Sequence, residues 1–517
     1  MSTNAQKDLT PVVPRKYRSI FFMLVSCFAL WGLLNNMTDN LVPAFKNIFT
    51  IPQEKAALVQ VAFYGAYAVL AIFASILIEE FSYKKGVLIG LGVYILGALC
   101  YIPACINQSF DIYFIAIFVV AAGCSVLETT CNPYVISLGP EKTAVRRLNF
   151  AQAFNPVGSI CGIFLAQQLI LSNLNPATAD ERALMPAEQL KAIVHTELFW
   201  VCAPYVGLCA IAFFIWLFFL RAKDTQETAA TEAPATGSGK GGIRVLVAAL
   251  FAVVPLTVLY FLFPDMDKVH WVLYGTLGPI VYLFLVGDYR AMLFSLLSQP
   301  RYWCGVIAQF FYVGVQIAAW TYLNVYCCKE LGVTPATAAT YYLISIILFI
   351  VCRWVATYYM KKFNPASMMS LFAIAAIAAC AGVIYLPSTV LFTIGGLDFS
   401  ANILCLIAMS GCMSLMFPTI YGIALGGLNQ RDVKLGAAGL IMAILGGALI
   451  TPWMAGIIGD AEGAWLCLTT AFDNTWDTNL GTSHAAVRAS FIVPAICFAV
   501  VLLYSLIFRK PTTTSDK

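Results

Sequence analysis

Charge is what this chain has least of. Of its 517 residues only 11% are Asp, Glu, Lys or Arg, against roughly a quarter in an average soluble domain. That scarcity excludes an ordinary water-soluble domain. The net charge of +4 comes from scattered basic residues, so nothing points to nucleic acid. Histidine is scarcer still: His195, His270 and His484 all fall in stretches expected outside the membrane, which excludes a buried histidine proton relay. Cysteine is present seventeen times but never as CxxC, and mostly singly inside apolar runs. Small buried hydrophobes fit that pattern better than disulfides or metal ligands. No metal site and no cofactor is expected. The N-terminal stretch shows no short apolar run ending in a small-x-small cleavage site, so its apolar segment reads as a retained first helix.

What is present is hydrocarbon. The chain is 61% hydrophobic with a mean hydropathy of +0.83, and apolar runs of the roughly 20 residues needed to cross a bilayer recur along it. The reading is an all-α polytopic membrane protein with fourteen spans. Six lie near 19–42, 56–79, 86–105, 111–137, 148–171 and 198–220. Two follow near 244–263 and 271–287, and six more near 302–326, 338–360, 367–391, 401–425, 435–459 and 487–508. With the N-terminus inside, 22 of the 30 Lys and Arg fall in inner segments, 7 in outer ones, and Arg353 inside a span. The positive-inside rule then places both termini in the cytoplasm.

The polar, Gly/Ala/Thr-rich stretch 224–242 divides the chain into halves. GCSVL at 123–127 resembles GCMSL at 411–415, offset by 288. The stretch LNFAQAFNPVGSICG from Leu148 pairs with LGAAGLIMAILGGAL from Leu435, offset by 287, and FSYKKG from Phe81 with FNPASM from Phe363, offset by 282. Near-constant offsets argue for two parallel six-helix repeats, an architecture that places substrate between the repeats near the membrane midplane. The expected organisation is a cytoplasmic segment 1–18, a six-helix bundle 19–220 and a flexible linker 221–243. An extra hairpin with its connection (244–300), a second bundle 301–508 and a tail 509–517 follow.

Two acids stand inside the membrane. Asp39 is the only charge between Arg18 and Lys46, and Glu128 the only one between Asp111 and Glu141. Such residues usually face a partner or a water-filled cavity, and burial raises a carboxylate's pKa toward a range useful for proton exchange. Helical spacing puts Asn35 and Asn36 on the face of Asp39, Asn132 one turn past Glu128, and Gln152 three residues before Asn155. In the first span of the second half, Gln309, Tyr312, Gln316 and Trp320 share a stripe. Carboxamides answer hydroxyls and an aromatic ring packs on a pyranose face, so the set suits a neutral polyol. The bland alternative is that these amides are interhelical glue and the stripe is packing. Arg353 either snorkels to the nearby surface or takes part in gating.

NNMTDNLVPAF, FSYKKG, LETTCNPYVISLGPE, RLNFAQAFNPVG, AQFFYVGVQIAAWTYL and FPTIYGIALGGL together resemble the fucose/galactose/glucose branch of the major facilitator superfamily. The resemblance covers about 19–220 and 301–508. It implies the major facilitator fold with two six-helix bundles, and proton-coupled monosaccharide uptake, L-fucose first and glucose, galactose or an amino sugar behind. Asp39 then matches a proton-coupling acid. Glu128 matches an acid tied to both proton and sugar, and Asn36, Gln152 and Asn155 match sugar contacts. The partners implied are a monosaccharide, a proton and the bilayer of the inner membrane, for a monomeric, multi-pass protein. Three features depart from the pattern: the hairpin 244–287, the missing Asp in the loop after the second helix, and Thr38 with Pro156.

Other classes compete. A drug or metabolite exporter on the same fold would have a more apolar cavity with fewer carboxamides. A membrane enzyme would need a catalytic cluster, and the acids Asp460, Glu462, Asp473 and Asp477 lack metal-ligand spacing.

Overall fold

The computed structural model describes residues 12–39, 45, 48–51, 53–175, 177, 181–182, 184–222, 242–248, 250, 254, 268–459 and 483–510, with side chains at 39, 53–58, 60–61, 187, 268–276 and 335–336 excepted. Helices dominate it. The first half comprises α1 (Arg18–Asp39), α2 (Gln53–Glu80), α3 (Tyr83–Asn107), α4 (Phe110–Ser137), α5 (Glu141–Asn173) and α6 (Ala187–Arg221). Between the halves stand α7 (Lys268–Leu285) and α8 (Gly287–Leu297). The second half comprises α9 (Pro300–Leu331), α10 (Pro335–Tyr359), α11 (Pro365–Tyr385), α12 (Ala401–Leu425), α13 (Gln430–Ile458) and α14 (His484–Ile507).

The starts of these helices are written locally. Proline opens α9, α10 and α11, where its missing N–H is no loss. The side chains of Ser82, Ser109, Thr334, Asn364, Asn429 and Ser483 accept hydrogen bonds from first-turn amides.

Twelve described helices are long and apolar enough to cross a membrane, six in each half. The expected count of fourteen is not reproduced among the described residues. The second arm of the expected hairpin ends at Leu285, and the chain bends by 105° into α8. Most of the first arm, 251–253 and 255–267, lies outside the described residues, as do most of the linker and the acids Asp460, Glu462, Asp473 and Asp477. The span expected over 367–391 is shorter. Its last residues join a hairpin of β1 (Val390–Ile394) and β2 (Leu397–Ser400), turned by Gly395 and Gly396 at positive φ. His195, expected in a loop, is part of the long α6.

The two halves are packed alike. A Cβ on Gly158 or Gly162 would stand 2.0 or 2.2 Å from a carbonyl oxygen of α1, so α5 meets α1 backbone to backbone. In the second half, a Cβ on Gly446 of α13 would stand 2.1 Å from the Phe310 carbonyl oxygen of α9. Small residues permit this approach, and in lipid close packing replaces the hydrophobic drive of water. Each half also carries a buried ion pair away from its basic end. Arg182 meets Glu197 at 2.6 Å in the first half, and Arg488 meets Glu330 at 2.5 Å in the second. Arg182 and Arg488, expected as outer-loop charges, are both buried.

The two described termini come to one end of the bundle. Arg147 donates to the Val12 carbonyl at 3.0 Å, and Arg301 to that of Lys510 at 2.9 Å. Lys84, Lys85, Arg431 and Lys434 stand at the same end, the basic end.

Candidate functional site

The site begins on α4. Glu128 is buried, 7% exposed, among Ser125, Thr129 and Asn132. It neighbours the Tyr67 hydroxyl of α2, which in turn neighbours Asn35 of α1. The helical spacing expected between Glu128 and Asn132 is realised as a bond: Asn132 Nδ2 donates to the Glu128 carbonyl at 2.9 Å. Gln152 Nε2 donates to Asn132 Oδ1, also at 2.9 Å, which joins α5 to α4. Asn155 Nδ2 reaches the Phe28 carbonyl of α1 at 3.5 Å, and Asn36 Nδ2 reaches Gly32 in its own helix at 3.3 Å. Asn36 and Asn155 keep partial exposure. Asp39 ends α1, and its side chain lies outside the described residues.

The second half supplies a more aromatic wall. Trp320 Nε1 donates to Ser410 Oγ at 3.1 Å, and its ring packs edge-on to Phe349, centroids 5.2 Å apart. Tyr312 is fully buried and donates its hydroxyl to the Met413 carbonyl at 3.0 Å. Gln316 is partly exposed. Gln309 is fully buried, and among the described residues neither end of its amide has a hydrogen-bond partner. Leaving buried polar atoms unpaired costs about 1–3 kcal/mol, so Gln309 is a group awaiting a ligand, a water or a rearrangement.

Arg353 bears on one of its two readings. It does not snorkel: it is 4% exposed and stacked 4.5 Å over the Phe349 ring. Its Nε donates to the Ser414 carbonyl, and its Nη1 crosses to the first half, donating to the Gln152 carbonyl at 2.8 Å. A series of contacts therefore runs from the Glu128 backbone carbonyl through the Asn132 and Gln152 side chains, and from the Gln152 backbone carbonyl to Arg353. It ties the backbone of the helix that carries the buried acid to the seam between the halves.

That seam is closed at one end. Glu79 Oε1 takes Arg431 Nε at 2.7 Å and Glu79 Oε2 takes Lys434 Nζ at 3.0 Å. The Gly427 amide donates to Glu141 at 3.1 Å, Asn149 Nδ2 to Thr419 at 3.3 Å, and Trp354 packs against Phe150 and Phe154. All these bonds between halves lie from the midplane to the basic end. Sequence reasoning passed over Glu79 because acids at a span's edge look like boundary markers. Tyr67 was missed too, being one tyrosine among twenty-four.

A family model for the major facilitator superfamily matches residues 20–451. The chain belongs to the major facilitator superfamily. Within it, the chain is 35% identical over 499 residues to the L-fucose-proton symporter of Haemophilus influenzae, covering 95% of this chain and 97% of that one. It is 32% identical over 503 residues to the L-fucose-proton symporter of Escherichia coli, covering 97% and 95%. The glucose/galactose transporter of Brucella abortus is 26% identical, covering 96% and 95%. Among solved structures, the E. coli fucose:proton symporter superposes with a TM-score of 0.72 at 29% identity, covering 96% of this chain and 100% of that one. A structure of the same facilitator in its outward conformation gives 0.70, also at 29% identity and with the same coverage. The expected fold is the fold observed, and the superfamily relatives named here are carriers.

Proposed function

We propose that this protein is a proton-coupled carrier that takes up a neutral monosaccharide, L-fucose first, by alternating access. The observation that carries the reading is a buried acid, Glu128, on a helix whose Asn132 is bonded to Gln152, the residue whose carbonyl receives Arg353 across the seam between two similarly packed halves. Two L-fucose-proton symporters related over nearly the full length support the choice of sugar and ion.

In this reading the basic end faces the cytoplasm, with both termini, in the inner membrane, and the carrier works as a monomer. The closed seam at that end makes the present state outward-facing. Asp39 and Glu128 exchange the proton. Asn36, Gln152 and Asn155 meet the sugar hydroxyls from one side. Gln309, Gln316 and Trp320 meet it from the other, with Tyr312 holding α9 against α12 behind them. Sugar and proton neutralise and fill the site, the seam opens at the basic end, and both leave.

Uptake by proteoliposomes loaded at neutral pH, with labelled L-fucose, D-galactose and D-glucose outside, tests this. An inward proton gradient should drive accumulation of L-fucose above the internal equilibrium level, and a sodium gradient alone should not. Accumulation of galactose and glucose without L-fucose would move the chain to the specificity of the Brucella relative. Accumulation driven by sodium alone would remove the proton.

A further inference from the structure

The segment between the halves has no part in that cycle, yet it is bonded to both sides of the closed seam. Arg244 Nη1 reaches Glu80 Oε1 at 3.1 Å, and its Nη2 reaches Asp288 Oδ2 at 3.2 Å. The Tyr289 hydroxyl donates to the same Glu80 oxygen at 2.7 Å. The Tyr282 hydroxyl donates to the Arg244 carbonyl at 3.1 Å and braces the arrangement. Farther along α8, the Ser295 hydroxyl donates to Asp432 Oδ2 at 2.7 Å.

The two anchors are placed tellingly. Glu80 follows Glu79, and Asp432 follows Arg431. Each is one residue from the pair that joins α2 of the first half to α13 of the second. Glu80's side chain is only 6% exposed, so water does little to replace a lost donor. Salt bridges on open surfaces contribute little, but a buried carboxylate deprived of its donors is costly.

Resting on the carrier reading, we propose that α7–α8 with residues 242–248 is a strap that holds the basic-end seam shut, so that the carrier without sugar rests open at the opposite end. The mechanics follow from connectivity. Residues 298 and 299 join α8 directly to α9, so Tyr289 belongs by chain to the second half while its partner Glu80 belongs to the first. Separating α2 from α13 must release Glu80 from Tyr289 and Arg244, or release Asp432 from Ser295. Release of Glu80 leaves a buried carboxylate short of donors, in addition to breaking the Glu79 pairs, whereas Asp432 keeps the Asn429 amide at 2.8 Å; the Glu80 side of the strap is therefore the costlier one to open.

The test measures the seam and not transport, so its failure differs from failure of the carrier reading. Spin-labelled non-cysteine residues introduced at the exposed Arg18 and Lys362 report the width of the basic end in the full chain, in nanodiscs without sugar. The combined variant Arg244→Gln, Tyr289→Phe and Ser295→Ala should raise the ratio of wide to narrow distances about tenfold or more, the scale of one hydrogen bond to a charged group. Glu80→Gln, a milder change that abolishes the Arg244 ion pair, should move the ratio the same way by less. Unchanged distances in both variants, whatever Glu79→Gln does, overturn the strap and leave the segment as lipid-facing packing. Absence of L-fucose uptake by the unmodified chain would instead sink the carrier reading alone.

Discussion

The two halves of this protein share a skeleton and differ in chemistry. In both, the first and fifth helices touch backbone to backbone through glycine, and in both a buried Arg–Glu pair stands away from the basic end. The polar interior is not repeated. At the internal offsets of 288 and 287, Glu128 and Asn132 correspond to Met416 and Ile420, and Gln152 and Asn155 to Gly439 and Met442. A carrier needs two rigid bodies that rock against each other, and the repeat provides them. In the proposed cycle the coupling acids and the sugar-facing amide network lie in the first half, and the second half faces the site with rings and the amides of Gln309 and Gln316. Its own bonded amide, Asn402, joins Tyr326, Glu330 and Ser388 away from the basic end.

The comparison predicts a division of labour, and its largest consequence concerns the acids. Without sugar, a charged carboxylate crossing a dry intermediate costs about 3 kcal/mol or more, so reorientation of the empty carrier is slowed roughly a hundredfold. Asp39→Asn removes that block. It should exchange labelled for unlabelled L-fucose across proteoliposomes yet fail to concentrate it under a pH gradient. Glu128→Gln should lose accumulation and also weaken binding, because Glu128 shares one face of its helix with Asn132, which holds Gln152. If either variant still concentrates sugar, that acid is not part of coupling, and the contrast between halves loses its meaning.

An intermediate effect belongs to Gln152. Its side chain bonds Asn132, while its carbonyl takes Arg353. Gln152→Ala keeps the carbonyl and leaves Asn132 Oδ1 without its donor, so the seam should survive while the site weakens. A loss of about 1–3 kcal/mol in L-fucose binding, roughly five- to 150-fold in Kd, is expected by calorimetry. An unchanged Kd would place the sugar elsewhere.

Much of this was legible in the sequence, for reasons that differ by feature. The twelve spans found among the described residues were all among the fourteen expected, because apolar length is a local property. That Asn132 stands one turn past Glu128 was legible because four residues make about one helical turn; that its amide would turn to the Glu128 backbone carbonyl was not. The end of α11 was not, because VLFTI is as apolar as the helix before it, and only the Gly395–Gly396 turn marks a hairpin. Arg353 left two readings open in sequence, since its deciding partner, the Gln152 carbonyl, is 201 residues away and offers no side-chain signature. The anchoring of α8 was hidden for the same reason: Tyr289 and Glu80 are 209 residues apart.

The smallest expected effect separates a ligand-binding amide from a stranded one. Gln309 lies on the second half's wall, fully buried, with neither end of its amide hydrogen-bonded among the described residues. Gln309→Leu has nearly the same volume and removes the unpaired polar atoms, so the protein without sugar should be as stable or more so, its Tm unchanged or raised by a few degrees. If the second half contributes only shape, sugar affinity should not change either. If Gln309 turns to a sugar hydroxyl when the site is filled, affinity should fall by several-fold while the stability gain persists. Sugar-induced stabilisation reports both quantities in one measurement: Tm without L-fucose, and its rise with L-fucose concentration. A raised baseline with a weakened sugar response assigns the amide to the substrate. A lowered baseline shows that Gln309 is satisfied by water, and that the second half is wetter than its rings suggest.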